Sequence, residues 1–389
     1  MREIARLRDC SCRPNWARVR YALALSDLGG GVRRLYDGLV GVGDLDGYVA
    51  REMQEKNIPA AMVVVLRDGV AVAERAYGTA NIEFSVPATI EDVYPLASIT
   101  KLFTAVAVFV LVQDGAFRLD SPVVSLLPGL PAAWRDVTVS HCLSHTSGIP
   151  DFPQIYESPE VPASEAAALE LISSAPLVYR TGEQCMYNQA EFLLLKMIVE
   201  QASATTFATF LQREIFVPAG ITSARFGDSR EIVPRGVSVY TRAKPTPDRL
   251  HSTPLDPFVN REDDPLFHAA LLYPSYAHAS AGLSMTGPDL ARLDSLLRGG
   301  TLLSDETVQK MWEPTRLRDG SRGDFTAGWQ YITWNDQHVV GHIGAGMSVY
   351  ASLVDHGVTL VLLTNVQETR MWDLARGMLS LYVPEVQGV

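Results

Sequence analysis

The run from Ser98 to Gly115, SITKLFTAVAVFVLVQDG, constrains this chain more than any other segment. Leu102, Phe103, Val106, Val108, Phe109, Val110, Leu111 and Val112 are apolar nearly all the way round a helix, and a helix of that kind is buried. It is too short to cross a bilayer, so it must lie inside a folded domain with other elements around it. Polar residues open it. Ser98 and Lys101 are three apart and share one helix face. A buried hydroxyl and amine need partners or a purpose. Arginine cannot accept a proton at neutral pH, whereas a desolvated lysine near the positive end of a helix can have its pKa lowered enough to act as a base. The pair therefore has the spacing of a nucleophile and its activator; a structural lysine in a buried ion pair is the plain alternative.

The rest of the composition narrows the function classes. A chain of 389 residues, 47% apolar and 20% charged, can form one large domain or two of moderate size. Its formal charge of -11, with no basic cluster mixed with aromatics, argues against a nucleic-acid surface. No apolar stretch is long enough for a membrane span. Cys10, Cys12, Cys142 and Cys185 show neither metal-ligand spacing nor the density of a disulfide scaffold, so no metal and no cofactor are expected. Residues 1–42 are rich in arginine and broken by Gly29, Gly30 and Gly31, and read as a loosely packed extension. The apolar centre at Tyr21 to Leu25 is short for a secretory signal, which favours a cytoplasmic location over export.

The local patterns predict a helix over Asp44 to Lys56, then a hairpin of Ala61 to Arg67 and Val70 to Gly78 turning at Asp68-Gly69. From Asp120 to Tyr276 helical stretches at Ser164 to Ser174, Asn188 to Ser203 and Thr206 to Phe216 alternate with Pro-rich loops, and Pro234 to Pro265 reads as loop. Three strands follow at Gln337 to Ile343, Met347 to Asp355 and Val358 to Asn365, then a helix over Glu368 to Tyr382. The economical assembly is an α/β (α+β type) fold. Residues 43–119 and 277–389 build one antiparallel-sheet domain from both chain ends, and 120–276 form a mostly helical domain. The nucleophile helix lies where the two meet, a common place for a pocket.

Further segments carry a family likeness. Leu119-Asp120-Ser121-Pro122 and Val137 to Pro150 (VTVSHCLSHTSGIP), then Thr181 to Gln189 (TGEQCMYNQ), Ala279 to Thr286 (ASAGLSMT), Gly328-Trp329 and His342-Ile343-Gly344 follow the SITK tetrapeptide in order. Together they resemble the penicillin-recognising serine hydrolases, the group of class C β-lactamases, D-peptidases and family VIII carboxylesterases. The likeness runs from about Asp44 to Asn365. It implies a β-lactamase-like fold, an antiparallel sheet flanked by helices plus a mostly helical domain. No G-x-S-x-G elbow, H-E-x-x-H helix, Walker loop or dinucleotide fingerprint competes with it.

The resemblance also implies roles. Ser98 would attack a carbonyl carbon to form an acyl-enzyme, and Lys101 would take or relay its proton. Tyr187, in the place of the family's Tyr-x-Asn motif, would be the second proton carrier. Asn188 and Glu191 have capping-box spacing at the start of the following helix. Gln189 stands where the motif has Asn, offering the same amide on a longer arm to substrate or to Lys101. His342 stands where many β-lactamases carry a lysine, and a neutral imidazole is a weaker clamp for a substrate carboxylate. Gly344 would let the strand approach the substrate, and the N–H groups of Ala345 and Ser98 would form the oxyanion hole. His145, Ser147 and Gly148 read as a supporting turn. The expected partner is a small ester, amide or β-lactam substrate, with carboxylesterase action first and β-lactamase or D-amino-acid (DD-) peptidase action second. A non-catalytic scaffold or sensor on the same fold is the reading from a different class.

Overall fold

The computed structural model describes residues 44–152, 162–243 and 265–387. The arginine-rich segment 1–42, Cys10 and Cys12, and most of the loop expected over Pro234 to Pro265 lie outside the described residues.

The first described element, α1 (Leu45–Glu55), begins where the Asp44 carboxylate accepts the Gly47 N–H at 2.8 Å, an N-cap that satisfies one of the helix's orphan donors. It leads into β1 (Ala60–Arg67), β2 (Val70–Asn81) and the short edge strand β3 (Val86–Pro87). The turn between β1 and β2 places Asp68 and Gly69 at φ 49° and 77°, the left-handed pair that a tight hairpin needs. Near the other end of the chain lie β4 (Gln330–Trp334), β5 (Gln337–Gly344), β6 (Ser348–Leu353) and β7 (Val358–Thr364). All seven join one antiparallel sheet in the order β3-β2-β1-β7-β6-β5-β4, so the seam between the two ends of the chain is the β1–β7 pair, from Ala61 opposite Thr364 to Arg67 opposite Val358.

The sequence of that seam explains its central position. AAMVVVLR and VTLVLLT are apolar on both faces, which suits strands covered on both sides. Met62, Val64, Val361 and Leu363 enter one apolar cluster, and Val63, Val65, Leu360 and Leu362 enter another on the opposite face, as the two-residue period of a strand requires. Each such side chain removed from water stabilises the fold by roughly 1.5–3 kcal/mol.

The nucleophile segment forms a 3-10 turn at Ala97–Ile99 followed by α2 (Thr100–Gln113). Every residue from Thr100 to Leu111 is buried, because α2 packs into the sheet's first cluster and also against helices from the middle of the chain. Those include α3 (Val139–Leu143) and α4 (Ala190–Ser203), which contributes Phe192, Leu193, Leu194 and Leu195. On the same sheet face α5 (Gly287–Arg298) starts at an N-cap, with the Thr286 hydroxyl accepting from Asp289 N–H. The opposite face is covered by α1 and by α6 (Met371–Ser380). None of the described helices is long and apolar enough to cross a membrane.

Three elements differ locally from the pattern-based expectation. Strand β4 was not anticipated. Its hairpin to β5 turns through Asn335 and Asp336, both left-handed at φ 45° and 60°, a polar dipeptide that is the available turn signal. The expected helix over Thr206 to Phe216 is α-helical only over Phe207–Leu211 and continues as a π-turn over Gln212–Phe216. The closing helix starts at Met371 rather than Glu368, because Glu368 sits at φ 61° and its carboxylate is engaged by Thr241 Oγ1 at 2.7 Å and Arg242 N at 3.0 Å.

Candidate active site

Two backbone segments are pressed together around Ser98. Strand β5 ends against the residue that precedes the nucleophile turn: a Cβ on Gly344 would overlap the Leu96 carbonyl oxygen, and Ser348 Oγ donates to that same carbonyl at 3.0 Å. Only glycine allows this approach. The space left by the missing Gly344 side chain is taken by the Leu96 carbonyl. Ala97 and Ala345 both adopt left-handed backbone, φ 46° and 48°, and pack in one small apolar cluster with Met347, Val239 and Leu271. Such strain in two alanines persists only where the surroundings hold it, and it accumulates at functional sites.

Lys101 is fully buried. Its Nζ lies 3.4 Å from Ser98 Oγ, 2.6 Å from Gln189 Oε1 and 3.0 Å from the Ser280 carbonyl. Burial lowers its pKa from the usual 10.5 to about 7, opposed in part by the nearby Asp151. As an ammonium it has a donor for each of the three oxygens. As an amine it keeps donors for Gln189 and Ser280 and turns its lone pair to Ser98.

Tyr187 completes the group. Its hydroxyl donates to Ser98 Oγ at 2.7 Å, and its ring lies 4.7 Å under Lys101 Nζ. Phe325 stacks on that ring at 5.8 Å, and His145 meets it at 4.8 Å. Tyr187 is 40% exposed, so this corner of the site opens to solvent while Lys101 does not.

A family model described as Beta-lactamase matches residues 45–379. The chain belongs to the beta-lactamase family. It is similar to a penicillin-binding protein of Bacillus subtilis (strain 168), 25% identical over 340 residues, covering 82% of this chain and 71% of that one. It is also similar to a putative D-alanyl-D-alanine carboxypeptidase of Escherichia coli (strain K12), 25% identical over 372 residues, covering 85% and 83%. Among solved structures, EstCE1, a hydrolase with promiscuous acyltransferase activity, superposes with a TM-score of 0.71 at 18% identity, covering 88% of this chain and 97% of that one.

As a serine hydrolase of the beta-lactamase type, the protein places the residues expected from the sequence as follows. Ser98, Lys101, Tyr187 and Gln189 converge. The longer arm of Gln189 reaches Lys101 because Asp151 holds the start of α4, its Oδ1 accepting Gln189 N–H at 2.9 Å and Ala190 N–H at 3.0 Å. Asn188 performs the accepting half of the expected capping box, taking Glu191 N–H on its Oδ1 at 3.1 Å. The other half is absent, because the Glu191 carboxyl is turned to His145 and Ser147.

His342, expected as a neutral and therefore weak clamp for a carboxylate, is buried. It is 2% exposed, its Nδ1–H donates to the Ile343 carbonyl at 2.6 Å, and burial followed by the nearby Lys101 lowers its pKa to about 3. The imidazole is neutral, and its ring lies 5.7 Å from that of Tyr187. Sequence reasoning missed Asp151 and the Ser280 carbonyl as partners of the Lys101 corner. Ser280 lies within a segment that carried the family likeness and Asp151 directly follows one, but their roles depend on contacts 38 and 179 residues away in sequence. Among the described residues no group of three or more His, Cys, Asp or Glu side chains is arranged to hold a metal ion.

Proposed function

We propose that this serine hydrolase is a carboxylesterase acting on small, uncharged esters through an acyl-Ser98 intermediate. The observation that carries the reading is the convergence of Lys101 Nζ and Tyr187 Oη on Ser98 Oγ, at 3.4 Å and 2.7 Å. Lys101, with a pKa near 7, takes the Ser98 proton as Oγ attacks the ester carbonyl carbon. The N–H groups of Ser98 and Ala345 receive the negative oxygen. The ester C–O bond then breaks, Tyr187 hands its proton to the departing alkoxide, and the Lys101 ammonium restores the phenol. Water enters by the reverse route and releases the acid.

The preference for uncharged esters is supported by His342. Where a cationic side chain would hold a substrate carboxylate stands a buried, neutral imidazole. The structural likeness to EstCE1, a hydrolase with promiscuous acyltransferase activity, is in keeping with transfer of an acyl group through Ser98. Amide cleavage, as a D-amino-acid peptidase, is the second reading, favoured by the carboxypeptidase relative. Intact-mass measurement after incubation with short p-nitrophenyl esters, a penicillin, a cephalosporin and a D-Ala-D-Ala peptide separates them. The esters are expected to add an acyl group to the wild type and none to Ser98→Ala, with turnover abolished in the variant. Faster turnover of the peptide than of any ester would favour the second reading. Absence of every adduct and of all hydrolysis would leave a binding protein on this fold.

A further inference from the structure

Beneath Tyr187 lies a buried carboxyl that the proposed chemistry does not use. Glu191 and His145 are both wholly buried, and Glu191 Oε2 is 2.6 Å from His145 Nδ1. The backbone N–H of Asn188 also points at His145 Nδ1, at 3.2 Å. A ring nitrogen that accepts a backbone N–H carries its lone pair, not a proton. On that reading the proton of the short contact sits on the carboxyl and the ring's own proton on the buried Nε2. Glu191 Oε1, in turn, accepts Ser147 Oγ–H at 2.5 Å and Ser147 N–H at 3.3 Å, which leaves Oε2 as the oxygen that carries the proton.

We propose that Glu191 is held as a neutral carboxylic acid that donates to His145 Nδ1, and that in this form it is the positioning residue for Tyr187. His145 occupies left-handed backbone at φ 57°, unfavourable for a residue with a Cβ, and needs an external tie. The acid supplies it, joining helix α4 to the His145–Ser147 turn. From there the effect reaches Tyr187 by two routes: the ring contact at 4.8 Å, and the Met186 N–H donated to the His145 carbonyl at 2.8 Å, one residue before the tyrosine.

Neutrality matters because of what surrounds the pair. The titratable groups facing it are Lys101 on α2, Cys142 on α3, Asp151 ahead of α4, Tyr179, Cys185 and Tyr187 itself on the loop before α4, and His342 on β5. Lys101 is the cation of the group. An anionic Glu191 would hold its ammonium form and withhold the base; a neutral acid gives the same mechanical tie without that charge. Burial pushes the Glu191 carboxyl up and the His145 imidazole down, in keeping with a pair that carries no charge.

This inference rests on Ser98, Lys101 and Tyr187 being the working groups, and its test is divided accordingly. Glu191→Gln reproduces the hydrogen bonds of the neutral acid, with its amide N–H donating to His145 and its carbonyl accepting from Ser147. It should keep kcat/KM within about threefold and leave the acid limb of the pH profile in place. Glu191→Ala should lose roughly tenfold or more in kcat with little change in KM. The infrared difference spectrum between wild type and Glu191→Gln, near neutral pH, should show the carbonyl band of one undissociated carboxylic acid in the wild type alone. That measurement needs no turnover and stands even if Glu191→Ala fails to fold, so an inactive protein that shows the band would fault the ester reading and not this one. Absence of the band, or an acid limb that moves down by about a unit or more in Glu191→Gln, would mean an anion and overturn the proposal. So would a Glu191→Ala variant with wild-type kinetics.

Discussion

The hydroxyl of Tyr187 lies closer to Ser98 Oγ than the amine of Lys101 does, 2.7 Å against 3.4 Å. A phenol at that distance is placed to hand its proton to the departing alkoxide, while the amine, with a pKa near 7, takes the proton of Ser98. Tyr187→Phe removes the hydroxyl and keeps the ring that packs on His145 and Phe325. It is expected to lower kcat by about a hundredfold or more with the thermal midpoint nearly unchanged. A loss below about threefold would reduce Tyr187 to a packing residue.

The approach of β5 to the nucleophile turn gives a second prediction. In Gly344→Ala the new methyl group would overlap the Leu96 carbonyl, and Ser348 Oγ occupies the other direction of escape. The strand end has to move away from Ser98. The variant should be destabilised by about 1–3 kcal/mol in denaturant titration and lose most of its activity, with the Ala345 N–H drawn off the position it needs. Wild-type kinetics in a stable Gly344→Ala protein would show that this contact does not set the oxyanion site.

How far the sequence alone could reach follows from the range of each interaction. Ser98 and Lys101 are three residues apart, so their meeting was visible in the spacing, and the burial of α2 followed from its all-round apolar pattern. The β1–β2 hairpin and strands β5 to β7 were legible because apolar runs end at polar or glycine turns. What was hidden depends on partners distant in sequence. Gln189 reaches Lys101 only because Asp151, 38 residues earlier, fixes the helix start. The Glu191 side chain looked like half a capping box, and 44 and 46 residues separate it from its true partners Ser147 and His145. The burial of His342 could not be read from a strand whose two faces both turned out to be covered.

The link from Gln189 to Lys101 predicts a shift in pH dependence. The amide oxygen at 2.6 Å favours the ammonium over the amine, so removing it lowers the lysine pKa further. In Gln189→Leu the acid limb of kcat/KM, set near 7 in the wild type by Lys101, should move to lower pH. The maximal rate should drop by about tenfold because Nζ is no longer held toward Ser98. An acid limb that stays in place or rises would mean that Gln189 does not act on the lysine.

Lys101 also sets a trade between activity and stability. In the unfolded chain its amine holds a proton up to about pH 10.5, and in the folded protein burial lowers that to about 7. Between those values the unfolded state binds more protons, so stability rises with pH through this window, and the penalty for burying the lysine is fully present below about 7. Lys101→Met keeps the volume of the side chain and removes its charge. The variant is expected to be inactive yet more stable than the wild type by on the order of 1–3 kcal/mol under mildly acidic conditions. Its advantage should shrink steadily as the pH is raised toward 10.5, where the wild-type lysine is neutral in both states. Denaturant titrations of both proteins across that range give the comparison. A variant less stable at every pH, or a difference that does not change with pH, would show that the buried amine is not held against its own solvation.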